Sequence, residues 1–205
     1  MDQDKCGALI RRLRQERCMT QRELAERIGV GDKAVSKWER GLGCPDVSLL
    51  GELSRAFHVN IENLLAGSLE PNPADGGNMK RVKFYVCPEC GNILTSTGAS
   101  DISCCGRRLV ALEPSPADGA HLPRAEAMDG EYYVTFPHEM LKEHHIAFVA
   151  WATYDRVLFV RLYPEQDAAL RLPQVRGGKL YAYCTRHELM CADLRGCLLY
   201  TSRCV

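Results

Sequence analysis

The sequence has no apolar run long enough to span a bilayer and no net charge, because its 26 basic side chains are matched by 26 acidic ones. The missing run argues against a membrane-spanning helix. The first residues, MDQDKCGALIRRLRQ, lack the apolar core of a signal peptide, so we expect a cytoplasmic chain that is not exported. Zero net charge means that any binding to nucleic acid must come from a local surface.

Cysteine, in contrast, is abundant, with eleven residues in a chain of 205. In the reducing compartment expected for an unexported chain, cysteines serve more often as metal ligands or redox groups than as disulfides. Charged residues make up 25% of the chain and hydrophobic residues 46%, which is typical of a soluble globular protein. The length suits one to three small domains.

A stretch rich in Pro, Gly, Asn and Asp divides the chain at residues 67–79 (GSLEPNPADGGNM), and we predict that it is a linker. Residues 1–66 hold 11 basic and 10 acidic side chains, and the rest hold 15 and 16, so neither part is basic in bulk. The predicted fold class is multidomain α + β. It comprises an all-α domain over 1–66, a small four-cysteine metal ribbon over 80–112 and an antiparallel β-sandwich over 113–196.

The last nine residues, 197–205 (CLLYTSRCV), look foreign to the rest of the sequence. Codons for Cys-Leu-Leu-Tyr-Thr-Ser can reproduce the transposon end used in sequencing-library adapters, so we interpret this tail as an artefact of sequence assembly. The alternative is an ordinary apolar tail with two spare cysteines. Re-sequencing the 3′ end of the gene distinguishes the two.

Apolar residues recur at helical spacing in five short stretches before the linker, which predicts five helices. The stretches are Leu9/Ile10/Leu13, Leu24/Ala25/Ile28, Val35/Trp38, Leu49/Leu50/Leu53/Phe57 and Ile61/Leu64/Leu65. Thr20 and Glu23 have the spacing of a capping box, which marks a helix start. Gly29 is predicted to end that helix, and another begins near Asp32. Two helices joined by a tight turn are the helix-turn-helix arrangement.

Residues 5–66 resemble the phage-repressor (Cro-like) helix-turn-helix family. The resemblance lies in Met19-Thr20-Gln21, Glu23-Leu24-Ala25, Ile28-Gly29-Val30 and the segment 34–41 (AVSKWERG). It implies that the second helix of the pair enters the major groove of double-stranded operator DNA, and that the protein is a homodimer. The alternative is a five-helix domain that binds protein, since the near-neutral charge gives DNA no independent support.

The same resemblance implies particular roles for residues of the two helices. With Val35 and Trp38 facing inward, the opposite face of the second helix presents four residues to DNA: Asp32, Lys33, Ser36 and Lys37. Gln21 is placed against a phosphate at the amino end of the preceding helix. Arg14 is paired with Glu39 as a structural ion pair and can also reach a phosphate. Gly31 stands where a capping Ser or Thr is usual, which weakens the start of the second helix.

Two cysteine pairs follow the linker. Cys87 and Cys90 form a C-x-x-C turn, and after thirteen intervening residues come the adjacent Cys104 and Cys105. Two such pairs supply the four thiolates of a tetrahedral metal site, which also helps so small a segment to fold. Disulfides are the alternative, disfavoured by the compartment, and thiolates alone do not distinguish iron from zinc.

Five of the six histidines lie in residues 121–187, at the ends of predicted strands or in loops. The strands are predicted at 133–136, 146–151, 157–162 and 180–183, and several short strands over about ninety residues suggest an immunoglobulin-like antiparallel β-sandwich. Loops on a rigid sandwich are where ligands are usually offered.

Residues 82–194 resemble desulfoferrodoxin and the related superoxide reductases. The four-cysteine segment matches in Tyr85, Cys87, Cys90-Gly91-Asn92-Ile93 and Cys104-Cys105, which implies a desulforedoxin-type iron centre that relays electrons or does not react. Three further motifs of the family match. The family's His-x-Pro falls on His121, and its Pro-His, followed six residues later by a second histidine, falls on His138 and His144. Its Tyr-Cys-x-x-His falls on Tyr183, Cys184 and His187. The resemblance implies that four imidazoles and one thiolate hold a second, ferrous iron with an open sixth position.

One departure concerns the reaction. Superoxide reductases carry Glu-Lys just before the first histidine, and the lysine attracts superoxide; this chain has Gly119-Ala120 there. We therefore predict a transcriptional regulator whose iron domain senses superoxide, redox state or iron. One alternative is a superoxide reductase, served by an electron donor such as rubredoxin, with an appended DNA-binding domain. The other is a DNA-binding protein with structural zinc in the ribbon and an empty histidine site.

Overall fold

A computed structural model of the chain describes residues 2–74, 76–174 and 177–193. The chain forms two compact units, residues 1–71 and 72–205. No helix in the described ranges has both the length and the hydropathy needed to cross a membrane. The tail at 197–205, interpreted above as an artefact, lies outside the described residues.

The first unit, as far as the structure describes it, consists of five helices, as the apolar periodicity predicts. They are α1 (Gln3–Glu16), α2 (Gln21–Ile28), α3 (Asp32–Glu39), α4 (Val47–Phe57) and α5 (Ile61–Ala66). Their apolar faces meet in one core, in which Ile10, Leu24, Val35 and Phe57 are almost fully buried. Burial of these faces, rather than helix propensity, stabilises helices this short.

Three residues fix the start and the end of α2. Thr20 and Glu23 form the predicted capping box: the Glu23 N–H donates to Thr20 Oγ1 at 3.2 Å, and the Thr20 N–H donates to Glu23 Oε2 at 2.6 Å. Gly29 ends α2 in the left-handed conformation, with φ at 71°, which glycine adopts without a steric penalty. The turn between α2 and α3 sets the direction in which α3 leaves the core.

The second unit contains twelve strands within the described ranges. These are β1 (Lys83–Val86), β2 (Ile93–Ser96), β3 (Ile102–Cys104), β4 (Arg107–Leu109), β5 (Ser115–Pro116), β6 (Arg124–Met128), β7 (Glu131–Thr135), β8 (Ile146–Ala152), β9 (Val157–Arg161), β10 (Ala169–Pro173), β11 (Lys179–Cys184) and β12 (Glu188–Asp193). The four strands predicted between 133 and 183 correspond to β7, β8, β9 and β11.

Two of the sheets form the sandwich. One has the order β10-β7-β6 and the other β5-β12-β11-β8-β9. Val134 and Leu172 of the first sheet pack against Trp151 and Leu180 of the second in a common buried core. Among these described strands, the departure from an antiparallel arrangement is β5, a two-residue strand that pairs in parallel with β12.

Two hairpins, β1–β2 and β3–β4, carry the four cysteines. They do not stand apart from the sandwich. Phe84 on β1 packs against the outer face of the five-stranded sheet, with its ring centroid 5.6 Å from that of Phe148 and 5.2 Å from that of Tyr181. The boundary predicted between the ribbon and the sandwich, at residue 112, stays a prediction, as does the linker at 67–79, within which Leu69 packs on the helical core.

Candidate functional site

Helix α3 has one buried and one exposed face. Val35 and Trp38 are buried, as predicted. The four residues assigned to DNA lie on the other side of the helix. Asp32, Lys33 and Lys37 are exposed there, and Ser36 is half-buried. The amino end of α3 has no side-chain cap, because Gly31 offers none. Contact between this face and DNA stays a prediction.

Glu39, the last residue of α3, joins three parts of the domain. Its carboxylate accepts from Arg14 Nε at 2.6 Å and Nη2 at 3.0 Å, which is the ion pair expected from the sequence. It also accepts from Gln21 Nε2 at 2.7 Å. Burial by itself would raise the pKa of Glu39, but the hydrogen bonds from Arg14 and Gln21 outweigh it and hold that pKa below its usual value.

These contacts bear on the two residues assigned to phosphates. The Gln21 amide donates to Glu39, and Arg14 Nη1 donates to the Met19 carbonyl oxygen at 2.6 Å. Both side chains are therefore committed within the domain in the absence of DNA. Their contact with phosphate stays a prediction.

The four cysteines predicted to hold a metal converge on one point, with all four sulfurs within 4.8 Å of one another. The Sγ atoms of Cys90 and Cys104 are 3.6 Å apart, and those of Cys104 and Cys105 are 4.0 Å apart. Four thiolates at about 2.3 Å from one ion in a tetrahedron are about 3.8 Å apart. The spacing is that of a metal site rather than of two disulfides, and all four thiols are free.

Local hydrogen bonds shift the pKa values of the cysteine thiols in opposite directions. The Cys90 N–H donates to Cys87 and lowers the pKa of that thiol to about 7, whereas hydrogen bonds with Cys90 and the other thiols raise the pKa of Cys105 to about 12. Asn92 is a contact that the sequence did not reveal: its amide Nδ2 lies 3.6 Å from Cys104 Sγ. A bound metal deprotonates all four thiols in any case.

The histidines and Cys184 reach a second point from three loops. His121 ends the 3₁₀ turn Gly119–His121 before β6, and His138 and His144 lie in the loop between β7 and β8. Cys184 ends β11, where the pairing with β8 shifts register, and His187 lies in the turn to β12. The register shift redirects the cysteine from the strand toward the loops.

Distances between nitrogen atoms and between ring centroids show that the four imidazoles are arranged in a ring. His144 Nε2 lies 3.2 Å from His138 Nε2 and 3.3 Å from His187 Nδ1. The His121 ring centroid is 5.0 Å from that of His138 and 4.8 Å from that of His187, but 6.4 Å from that of His144. His121 and His144 therefore face each other across the ring.

The thiolate lies to one side of this ring. Cys184 Sγ is 3.7 Å from His138 Nε2 and 3.4 Å from His187 Nδ1. Two nitrogen ligands at about 2.1 Å from one ion and at right angles are about 3 Å apart, so the nitrogen spacings fit a shared metal. Cys184 is fully buried, whereas His187 is exposed, so the site is open to solvent on the side of His187.

Protonation and burial also fit a metal. Burial, followed by the neighbouring imidazoles, lowers the pKa of His138 to about 4, so that this ring is neutral near pH 7. Nε2 of His121 is buried without a hydrogen-bond partner among the described residues. Buried polar atoms without partners are rare in folded proteins, and a metal ion would satisfy this one.

Two contacts around the ligands were not apparent from sequence. Glu139 Oε1 lies 3.1 Å from His144 Nδ1, an arrangement that orients a ligating imidazole and increases its basicity. The Met140 N–H donates to His138 Nδ1 at 3.1 Å and orients that ring. Glu139 is next to the predicted ligand His138 in the sequence, which could have drawn attention to it. Only the folded loop shows that its carboxylate contacts His144, five positions away.

The geometry thus defines a two-part protein: a helix-turn-helix domain, followed by a β-sandwich with two clusters of metal-ligating side chains. Residues 10–64 match the helix-turn-helix family model. The HTH-type transcriptional activator BcrR of Enterococcus faecalis is 36% identical over 80 residues, which cover 38% of this chain and 39% of BcrR.

The carboxy-terminal unit has a different relative. Desulfoferrodoxin of Clostridium acetobutylicum is 33% identical over 57 residues, covering 28% of this chain and 46% of that protein. The crystal structure of the superoxide reductase from Treponema pallidum superposes with a TM-score of 0.49 at 20% identity, covering 55% of this chain and 98% of that one. The chain spans less than half the length of the curated relatives named here. The chain therefore joins a helix-turn-helix domain to a region similar to desulfoferrodoxin.

Proposed function

We propose that the protein is a DNA-binding transcriptional regulator whose carboxy-terminal unit binds non-haem iron and senses superoxide, redox state or iron supply. The observation that carries the proposal is the convergence of His121, His138, His144 and Cys184 on one point, in a chain that also contains a helix-turn-helix domain. The names of its relatives, a transcriptional activator and a desulfoferrodoxin, support the two halves separately.

For the DNA-binding half, the support is the exposed face of α3. Lys33 and Lys37 are exposed on it, while Val35 fixes the opposite face in the core. Cations on one helix face supply the local positive surface that a chain of zero net charge needs. We infer a homodimer on a two-fold operator, since helix-turn-helix domains usually read two half-sites.

For the iron-binding half, the support is the donor set. Neutral imidazoles suit Fe(II), and a thiolate beside them donates electron density to the ion. Bound iron would supply one-electron chemistry with oxygen species at the exposed side of the site. The turn that carries Cys184 and His187 is held against the loop before β8, because the Thr185 N–H donates to the His145 carbonyl oxygen at 3.0 Å.

The decisive experiment compares operator affinity across states of the metal. A double-stranded sequence enriched from a random library by the full chain serves as the probe, and anisotropy is measured with reduced, oxidised and metal-free protein. We expect at least a fivefold difference between two of the states, which corresponds to about 1 kcal/mol of coupling. Equal affinity in all three states would refute the sensor.

Two pairs of variants locate the effect. Cys184→Ser should abolish the visible Fe(III)–thiolate band of the histidine–cysteine site, but not that of iron at the four cysteines, and should remove the dependence of DNA affinity on metal state. Cys191→Ser, on the neighbouring strand β12, should change neither. The double variant Lys33→Ala/Lys37→Ala should weaken DNA binding at least tenfold at 0.1 M salt. Arg55→Ala, on α4 and paired with Glu52, is the matched control.

A second candidate is a superoxide reductase, which would use one electron and two protons to convert superoxide to hydrogen peroxide. The convergence of His121, His138, His144 and Cys184 favours it, as does His187 Nδ1, which lies 3.3 Å from His144 Nε2. The residue before His121 argues against fast turnover, because Ala120 is exposed there and has no charge to attract the anion. Iron-loaded protein that removes pulsed superoxide no faster than buffer would exclude this activity, whether a donor such as rubredoxin is present or not.

A further inference from the structure

A groove crosses the surface of the β1–β2 hairpin on the second unit and extends to Asn92, beside the four-cysteine cluster. It consists of two adjoining hollows that share Ser96 and Thr97. The first, of about 600 Å³, is lined by Arg81 and Lys83, and the second, of about 610 Å³, is lined by Phe159 among others. Each is of the size usual for a small-molecule site.

The groove is lined by cations and, among the described residues, by no carboxylate. Within the described residues, Arg81 and Lys83 form no ion pair and no carboxylate lines either hollow, while Arg161 lies at the wall of the second. Several other cations of the unit have carboxylate partners: Arg107 with Glu89, Arg108 with Asp101, Lys142 with Glu165, Arg156 with Asp155 and Arg171 with Glu131. The first hollow therefore holds two positive charges that no carboxylate of the described residues pairs with.

The first hollow also offers neutral hydrogen-bonding groups. Lys83 and Ser96 are directly paired in the β1–β2 ladder, so their side chains lie on the same face of the hairpin. Ser96 Oγ donates to the Gly98 carbonyl oxygen at 2.9 Å, and this bond shapes the turn after β2. Ser100 lines the same hollow. Because the Ser96 hydroxyl donates to Gly98, the donors offered to a phosphate group are the Arg81 guanidinium, the Lys83 ammonium and the Ser100 hydroxyl.

The second hollow differs in character. Its wall includes the ring of Phe159, which is 42% exposed on the edge strand β9, together with Ile93 and Val157. An exposed aromatic ring beside a cationic site can stack on a flat heterocycle, and such stacking tolerates many ring types. A free phosphate ion would not use this wall.

We propose that the groove is a binding site for a mononucleotide. The phosphate group lies between Arg81 and Lys83, and the base lies against Phe159. Asn92, which lines the second hollow, also contacts Cys104, but no described lining residue of the groove is a predicted metal ligand, and the proposal does not depend on the function proposed for the metal clusters.

The test is calorimetry of the full chain with AMP, ribose 5-phosphate and inorganic phosphate as probes. AMP should bind at least tenfold more tightly than ribose 5-phosphate, which lacks the ring. Arg81→Ala/Lys83→Ala should weaken AMP binding at least tenfold. The control Arg107→Ala/Arg108→Ala, which removes the same charge from β4, should leave AMP binding unchanged. Phe159→Leu should reduce the preference for AMP over ribose 5-phosphate.

Three outcomes would overturn the proposal. They are no binding of AMP at millimolar concentration, equal loss in the two double variants, and binding of single-stranded oligonucleotide but not of AMP through Arg81 and Lys83. The last would identify the groove as a nucleic-acid surface. Thermal unfolding of each variant checks that the substitutions, which all lie at exposed positions, leave the fold intact.

Discussion

Arg14 and Glu39 form a two-pronged ion pair between α1 and the end of α3, with their side chains only 12% and 2% exposed. Arg14 also holds the Met19 carbonyl oxygen in the turn before α2, and Gln21 on α2 donates to the same carboxylate. One anion thus ties the first three helices together behind the recognition face.

Replacing Glu39 with alanine should lower the free energy of unfolding of the helical unit by about 3 kcal/mol. The reason is that a nearly buried guanidinium and an amide lose their acceptor at once. Urea unfolding followed by circular dichroism at 222 nm measures the change. Glu26→Ala, which breaks the exposed pair with Arg22, is the control and should cost about 0.5 kcal/mol or less. Equal losses would mean that the Arg14–Glu39 pair has no special role.

The same carboxylate predicts how stability depends on pH. Since the pKa of Glu39 is held below its unfolded value of about 4.3, its contribution is complete above that value and is lost as the pH falls through the folded pKa. The stability difference between the native protein and Glu39→Ala should therefore be constant from pH 7 to 5 and shrink below pH 4. A difference that stays constant down to pH 3 would contradict this assignment.

Replacing Gly31 with serine should increase the stability of the helical unit. Its backbone lies in the extended region at φ −79°, no atom of the described residues lies within 4 Å of the position that a Cβ would occupy, and α3 lacks a side-chain cap. Gly31→Ser should stabilise the helical unit by about 0.5 kcal/mol through a new cap and a less flexible unfolded chain. Gly29→Ser is the counter-example, because φ there is 71°, and should destabilise by about 1 kcal/mol. In thermal unfolding, the melting temperature should rise for Gly31→Ser and fall for Gly29→Ser.

Replacing Glu139 should change the metal affinity although Glu139 is not a predicted metal ligand. Its contact with His144 Nδ1 orients the imidazole, so Glu139→Gln should lower iron affinity about tenfold or more. Competition with a chelator of known affinity measures this. Glu143→Gln, on the same loop and exposed, should bind iron as the native protein does. If both variants match the native protein, Glu139 does not support the site.

Much of the fold could be predicted because the relevant signals are local. Apolar spacing predicted the five helices, and the pair Thr20–Glu23 predicted the start of α2, since a capping box needs only four consecutive residues. The four cysteines were predictable for the same reason, because each pair is adjacent or nearly so in the chain.

The sequence alone determined which residues are chemically able to hold metal. Through the resemblance of their order, it also predicted that five of them form one site: His121, His138, His144, Cys184 and His187. Only the tertiary structure decided that His121 faces His144 across the ring and that Glu139 serves His144. It likewise revealed that Arg81 and Lys83 meet Ser96 in a groove without carboxylates among the described residues. These relationships depend on loops and strands brought together by burial of the sandwich core, and such long-range contacts leave no periodic signal in a single chain.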